Sequence, residues 1–460
     1  MIKKLLKLLK TMSLGLLAWL DAAGAEPWVV YGDMVHRSDF EAVHCGAKDD
    51  CFYAAPGAST TASCTHGDPC ALRTAQALLG GGDVLYLLAG TYNDSFLFTE
   101  GAYGDYEMIM AFGRTHVFQT PQPGPWNRVT ITAYPGASVV IDGQYDLNNN
   151  IGAQCFYVDQ GFVTIRGLTF QDCKTGVNVG ENRITEDVVA VLVEDNHFTG
   201  NHFVNDNGGN VTVFRHAVDA VVQNNWLDGP GAQVGSMNSA GIYYTHDRHI
   251  RILNNEISNH RTGIHYKHDH FPSIGDTGSV IANNYIRDVS IAARLNTRHT
   301  WIHNNISTAT AGSFSLNHCS GVTGEGGDYN VLTNNYFHAL GFNGCSDGTT
   351  DQGAFQNTLA NNLIVSRFFL HPWEATPHET TMDHNLYVAD IFEHNQAYAL
   401  PQWQSHHGQD AASLSGSPTF TDPALIEIAD YRLLPGSLGY QAGNDGRDMG
   451  PDVTLVGLRD

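Results

Sequence analysis

A pair of adjacent asparagines recurs down the middle of this chain, as Asn224-Asn225, Asn254-Asn255, Asn283-Asn284, Asn304-Asn305, Asn334-Asn335 and Asn361-Asn362. The intervals are 30, 29, 21, 30 and 27 residues. Looser copies, Asp195-Asn196 and His384-Asn385, extend the series in both directions. A period of this size marks stacked units, none of which can bury its apolar face alone. Between the pairs lie short apolar alternations such as Val211 to Phe214 and Ile250 to Leu253, broken by Gly, Asn and Asp. That pattern is strand-like and too short for helices. Leucine-rich repeats would need a leucine comb and propeller blades a longer period. The expected fold is therefore all-β, a single-stranded right-handed parallel β-helix. Asn at each corner suits left-handed backbone angles, and its amide can bond along the stack.

Repeat architectures grow lengthwise, so 460 residues need not divide into several domains. Residues 1–25 carry a lysine-rich start, an apolar stretch from Met12 to Leu20 and Ala23-Gly24-Ala25, the order of a cleaved secretory signal. Residues 26–80 are expected to cap the first coil, 81–415 to form the coil with an active groove, and 416–460 to cap the other end. The expected location is secreted or periplasmic, with no membrane association after cleavage. Eight cysteines in an exported chain suit disulfides. Cys155 with Cys173, and Cys319 with Cys345, are spaced to join neighbouring coils, while Cys45, Cys51, Cys64 and Cys70 would knit the amino-terminal cap. No CxxC pair is present for zinc.

The net charge of −23 opposes nucleic-acid binding. Its distribution is uneven. Arg248 to Arg298 holds seven bases against four acids, and six histidines lie from His249 to His299, a cationic island suited to a charged substrate.

Within that island one phrase is written twice, Gly241-Ile-Tyr-Tyr-Thr-His-Asp247 and Gly263-Ile-His-Tyr-Lys-His-Asp269. Counting back from the Asn corners aligns Arg215, Thr245, Lys267 and Arg294 in one outward column, with Tyr243 and His265 on the same face. Crowded cations disfavour an ammonium, the shift a general base near neutrality requires. His216, His246 and His268 form a parallel column, for which stacked imidazoles sharing a metal and corner histidines are both open readings. Asp247 and Asp269 would lie about 5 Å apart, a spacing compatible with a retaining glycosidase or with a bound cation.

Lys267, followed by Ala293-Arg294-Leu-Asn-Thr-Arg-His-Thr-Trp-Ile-His-Asn-Asn305, resembles polysaccharide lyase family six, which includes chondroitinase B and alginate lyases. The Ile131 to Gly143 and Leu85 to Tyr92 runs are similar to segments of secreted carbohydrate-active β-helices. The resemblance implies β-elimination on a uronic-acid-containing anionic polysaccharide. Lys267 would be the base and Arg294 the carboxylate neutraliser, with Arg215, His265, Arg298, Tyr243 and His268 binding neighbouring sugars. Calcium-assisted members carry Glu seven and five residues before the lysine, where this chain has His260 and Thr262, so the cofactor is either none or Ca2+ held elsewhere. A glycoside hydrolase, a uronate epimerase and a non-catalytic glycan-binding solenoid remain alternatives on the same coil.

Overall fold

In the computed structural model, residues 51–458 are described, apart from 100–104, 113–117, 147–151, 181–186, 202–207, 215, 233, 236–238, 246–247, 268–277, 310, 319–326, 345–355, 371–379 and 394–395. Apolar residues two apart along each strand point inward and find the same position of the next turn one strand spacing away. The result is a parallel β-helix of three ladders. The first is a 12-stranded parallel sheet that begins at Cys51–Ala54 and ends at Thr381–Asp383. Its inward line runs Leu85, Ile131, Ile165, Val193, Val222, Ile252, Ile281, Ile302, Leu332, Leu359 and Met382 in continuous register. The second ladder includes Val139–Asp142, Thr169–Gln171, His197–Thr199, Trp226–Asp228, Glu256–Ser258 and Tyr285–Val289. The third carries the candidate site and is described below.

The Asn pairs divide the corner's two needs between them. The first residue of each pair takes the left-handed conformation, with φ between 53° and 59° at Asn224, Asn254, Asn283, Asn304, Asn334 and Asn361. Asp195 and His384 do the same, so the looser copies are true repeats. The second residue is buried and builds an amide ladder. Each Oδ1 accepts both the backbone N–H and the Nδ2 of the preceding coil's Asn, from Asn196 through Asn225, Asn255, Asn284, Asn305, Asn335 and Asn362 to Asn385. The side-chain amide of each second Asn is thereby satisfied by its own repeat, which a buried amide requires.

The glycines of the repeated phrase have a packing cause. A Cβ on Gly241 would lie 2.5 Å from Ile257 Cγ2, and one on Gly263 would lie 2.6 Å from Ile286 Cγ2 and from the Ala292 carbonyl oxygen. The bend between the second and third ladders is too tight for any side chain there.

Two boundaries differ from expectation. The coil starts at Cys51 and not at 81, because Cys51–Ala54 pairs in parallel with Val84–Leu87. The short helix Leu72–Gln76 places Leu72 and Ala75 in the core at that end. At the other end Leu400 and Trp403, from the helix Leu400–His407, enter the core cluster. The segment after residue 416 does not cover the coil end. It runs back along the outside of the second ladder, where Tyr431, Leu433, Met449 and Val453 pack on Tyr285, Ile306, Tyr336 and Leu363. Gly450 N–H donates to the Asn361 carbonyl and Gly457 N–H to the Asn283 carbonyl, placing the tail's last residues beside earlier coils.

Cys155 and Cys173 form a disulfide, and their flanking strands are paired neighbours, as the spacing predicted. Cys64 bonds Cys70, and Cys51 is also disulfide-bonded. Residues 1–25, Cys45 and the Cys319–Cys345 pair lie outside the described residues. Among the described residues no helix is long and apolar enough to cross a membrane.

His303, on the outside of the first ladder, stacks on Trp301 with ring centroids 3.9 Å apart. Burial pushes its imidazole down to about 4. The folded state therefore binds fewer protons than the unfolded state between about pH 4 and 6.5, and stability is lost as pH falls through that window. The raised carboxyls of Glu194 and Asp410, both shifted mainly by burial, act with the opposite sign. Comparison with a variant isolates the histidine: unfolding midpoints of His303→Gln and the parent should diverge by about 3 kcal/mol from pH 6.5 to 4, the parent losing more. Parallel curves would remove this assignment.

Candidate active site

The third ladder contains β1 (Gly208–Val213), β2 (Ser239–Tyr244), β3 (Thr262–Tyr266), β4 (Ile291–Leu295) and β5 (Phe314–His318), all parallel. Core partners set its register. Ile242 sits on Ile264 and Tyr244 on Tyr266, then Ile264 on Ala293 and Tyr266 on Leu295, all buried in the interior. The alternate positions consequently face outward. Their column runs Thr212, Tyr243, His265, Arg294 and Ser315.

This register corrects the expected column. Arg294 stands directly across from His265, not from Lys267, which follows β3 by one residue and donates its backbone N–H to the Tyr244 carbonyl. Counting from the Asn corner misplaced it because the turn between strand and corner varies in length. From the last residue of β1, β2, β3 and β4 to the next Asn pair the distances are 11, 10, 17 and 9 residues. Lys267 and Arg294 nevertheless share the outward face of neighbouring strands, two residues out of register, with Cα atoms about 8 Å apart for ordinary strand spacing and rise. Both are half-buried.

Tyr243 is 1% exposed and His265 4%. The Tyr243 ring meets His265 edge-on at 5.4 Å and Phe214 at 6.2 Å. With its faces covered it supports His265 and does not offer a platform for a sugar ring, which corrects that expectation. Arg294 differs from its neighbours in chemistry. Burial alone pulls its guanidinium below the ordinary arginine value, and among the described residues no carboxylate lies within ion-pair distance of it. Withdrawing an ion from water without a counterion is unfavourable, so such a group favours an anion that arrives from outside.

The cationic island is not one patch, because each coil deals its bases to all three ladders. Arg248 pairs with Asp187 at 2.5 Å. Arg287, in the second ladder, is held by Glu256 at 2.8 Å and Asp288 at 2.5 Å. Arg298 lies past the corner, 3.9 Å from Asp328 and with its guanidinium carbon 5.4 Å from the Tyr329 ring centre. The structure therefore brings Lys267 and Arg294 together with His265 and Tyr243 and leaves Arg298 engaged elsewhere. Arg215, Asp247, His268 and Asp269 lie outside the described residues, as does His246 of the histidine column. His216 is a corner residue with φ 68°, its Nδ1 3.7 Å from Asp187.

At the two positions where a calcium-assisted lyase would carry Glu, His260 and Thr262 are both buried, and His260 Nε2 lies 3.0 Å from Asn210 Nδ2. A buried imidazole and a hydroxyl are not an oxygen-rich donor set, so these residues do not fit calcium. Sequence reasoning missed Thr212 and Ser315, which flank the column. Aligning core residues such as Ile242, Ile264 and Ala293, and not the Asn corners, would have found them.

No protein-family model matches the sequence, and no curated protein matches it. Solved structures are similar in the course of the chain. Pectate lyase Pel9A is 12% identical over 88% of this chain and 96% of its own, with a TM-score of 0.47. The PL6 family alginate lyase AlyGC is 14% identical over 89% of this chain and 58% of its own, with a TM-score of 0.45. The A-module of the Azotobacter vinelandii mannuronan C-5 epimerase AlgE4 is 13% identical over 73% of this chain and 87% of its own, with a TM-score of 0.41. The coil itself is established by the strand register above.

Proposed function

We propose that this protein is a secreted polysaccharide lyase that cleaves a uronic-acid polymer by β-elimination at the third ladder. The reading is carried by one observation, a half-buried guanidinium with no carboxylate partner among the described residues, set on the same outward face as a lysine one strand away. A uronate carboxylate would bind Arg294 through the planar fork that suits it. Neutralising that carboxylate stabilises the carbanion formed beside it. Lys267 would take the C5 proton onto Nζ as the C4–O4 bond breaks. The electron pair of the C5–H bond becomes the C4=C5 double bond, and the departing O4 takes up a proton from solvent water. His265, braced edge-on by Tyr243, is the column neighbour of Arg294 and would border its guanidinium.

The test is incubation of the purified protein with alginate, pectate and chondroitin sulfate, with and without chelator. Elimination is expected to give an unsaturated uronate that absorbs in the ultraviolet, on one of these polymers and without dependence on calcium at His260 and Thr262. Reducing ends without that absorbance would assign hydrolysis instead. Exchange of the C5 proton with solvent without cleavage would assign epimerisation, and binding without any product would leave a glycan-binding solenoid.

A further inference from the structure

The last strand of the third ladder, Ile391–Glu393, turns back through the antiparallel strand Gln396–Tyr398 and leads into the helix Leu400–His407. Gly408, in the left-handed conformation at φ 67°, ends that helix by donating its N–H to the Gln404 carbonyl. Two imidazoles, His406 and His407, therefore sit in the final turn, where unsatisfied carbonyls favour positive charge. Glu393 is only 8% exposed, and its Oε2 lies 3.2 Å from His407 Nε2. The His406 and His407 rings meet edge-on with centroids 4.5 Å apart. One donor atom from each of the three residues lies within 4.8 Å of the other two.

We propose that Glu393, His406 and His407 form a zinc site that fastens the end of the coil. Two imidazoles and one carboxylate are a donor set suited to Zn2+, leaving a fourth position for water on the side where His406 is exposed. Ca2+ and Mg2+ prefer oxygen donors and would not be held by this set. Tetrahedral bonds of about 2.1 Å put ligand atoms about 3.4 Å apart, so closure requires at most about 1.4 Å of movement, which His406, exposed and in ring contact among the described residues only with Tyr398 and His407, can supply by rotation. His407 is already fixed, packed on Trp403 with centroids 3.9 Å apart, and Trp403 is rooted in the core. Metal binding would thus tie the hairpin, the helix and the last coil into one unit. This site does not involve the third-ladder column, so its fate is independent of the lyase reading.

The experiment is titration of chelator-treated, full-length protein with ZnCl2, followed by calorimetry and thermal unfolding. One equivalent should bind, and at hundredfold excess over the dissociation constant the melting temperature should rise by about 3 °C. Glu393→Gln and His406→Ala, one isosteric and the other at an exposed side chain, should each weaken this binding about 100-fold. His249→Ala removes an exposed histidine of the first ladder and should leave it unchanged, separating the site from general surface imidazole binding. CaCl2 should give no shift. Zinc binding of equal strength in Glu393→Gln and His406→Ala, or no stoichiometric binding in the parent, would overturn the proposal.

Discussion

Lys267→Ala is expected to lower turnover on the uronic polymer about 1,000-fold while leaving the melting temperature close to that of the parent. The size follows from removing a general base, and the unchanged stability from its position on the outside of the coil, just past β3, with the interior filled by Ile264 and Tyr266. Arg294→Ala should cost about 100-fold or more, because the charge that develops on the uronate loses its counterpart. Both losses should fall mainly on kcat, since the interaction strengthens as the carbanion forms. Arg294→Lys should recover only part of the loss, since an ammonium keeps the charge without the two-pronged geometry. Arg298→Ala serves as the contrast. Its guanidinium is already engaged by Asp328 and Tyr329, so its removal should change turnover by less than the loss at either third-ladder residue. Steady-state kinetics on the polymer identified above decides between them, and full activity in Lys267→Ala would end the assignment of the base.

The architecture was legible in the sequence because its determinants repeat. Asn254 and Asn255 differ from Asn283 and Asn284 only by a turn of the coil, and the same backbone angle and the same amide bonds are imposed each time. The candidate site was only half legible. Alternation places Lys267 and Arg294 on one face, but register is fixed by the core contacts of Ile264 with Ala293 and Tyr266 with Leu295, while the corner from which it was counted lies beyond a turn of variable length. The cationic island failed as a patch for a related reason. Nearness in sequence within a coil means distribution around it, and Arg248, Arg287 and Arg294 belong to three different surroundings. The path of the tail could not be read at all, since Tyr431 and Met449 follow no period and find Tyr285, Tyr336 and Leu363 only through three-dimensional packing.

The strongest effect on stability should come from the amide ladder, with the two asparagines of one pair behaving differently. Asn284 is fully buried; its Oδ1 accepts from the Asn255 N–H and Nδ2, and its Nδ2 donates to the Ile252 carbonyl and to Asn305 Oδ1. Asn284→Ala removes the partner of the Asn255 N–H and the side-chain donor to the Ile252 carbonyl, at about 1 to 3 kcal/mol for each group. A loss of about 4 kcal/mol follows, read as a lower denaturant midpoint. Asn283, the neighbouring residue, contributes a left-handed backbone angle of 59°, which glycine adopts without strain. Its side chain accepts one bond from Asn304 Nδ2 at 2.8 Å, so Asn283→Gly should cost about 1 kcal/mol. Because a solenoid is held together by contacts between adjacent turns, the Asn284→Ala defect should open locally, with faster amide exchange at Asn255 and Tyr285 than at distant coils. Equal costs at the two positions would show that the ladder is no more than a corner preference, and the stack would then owe its register to the apolar line of Ile252, Ile281 and Ile302 alone.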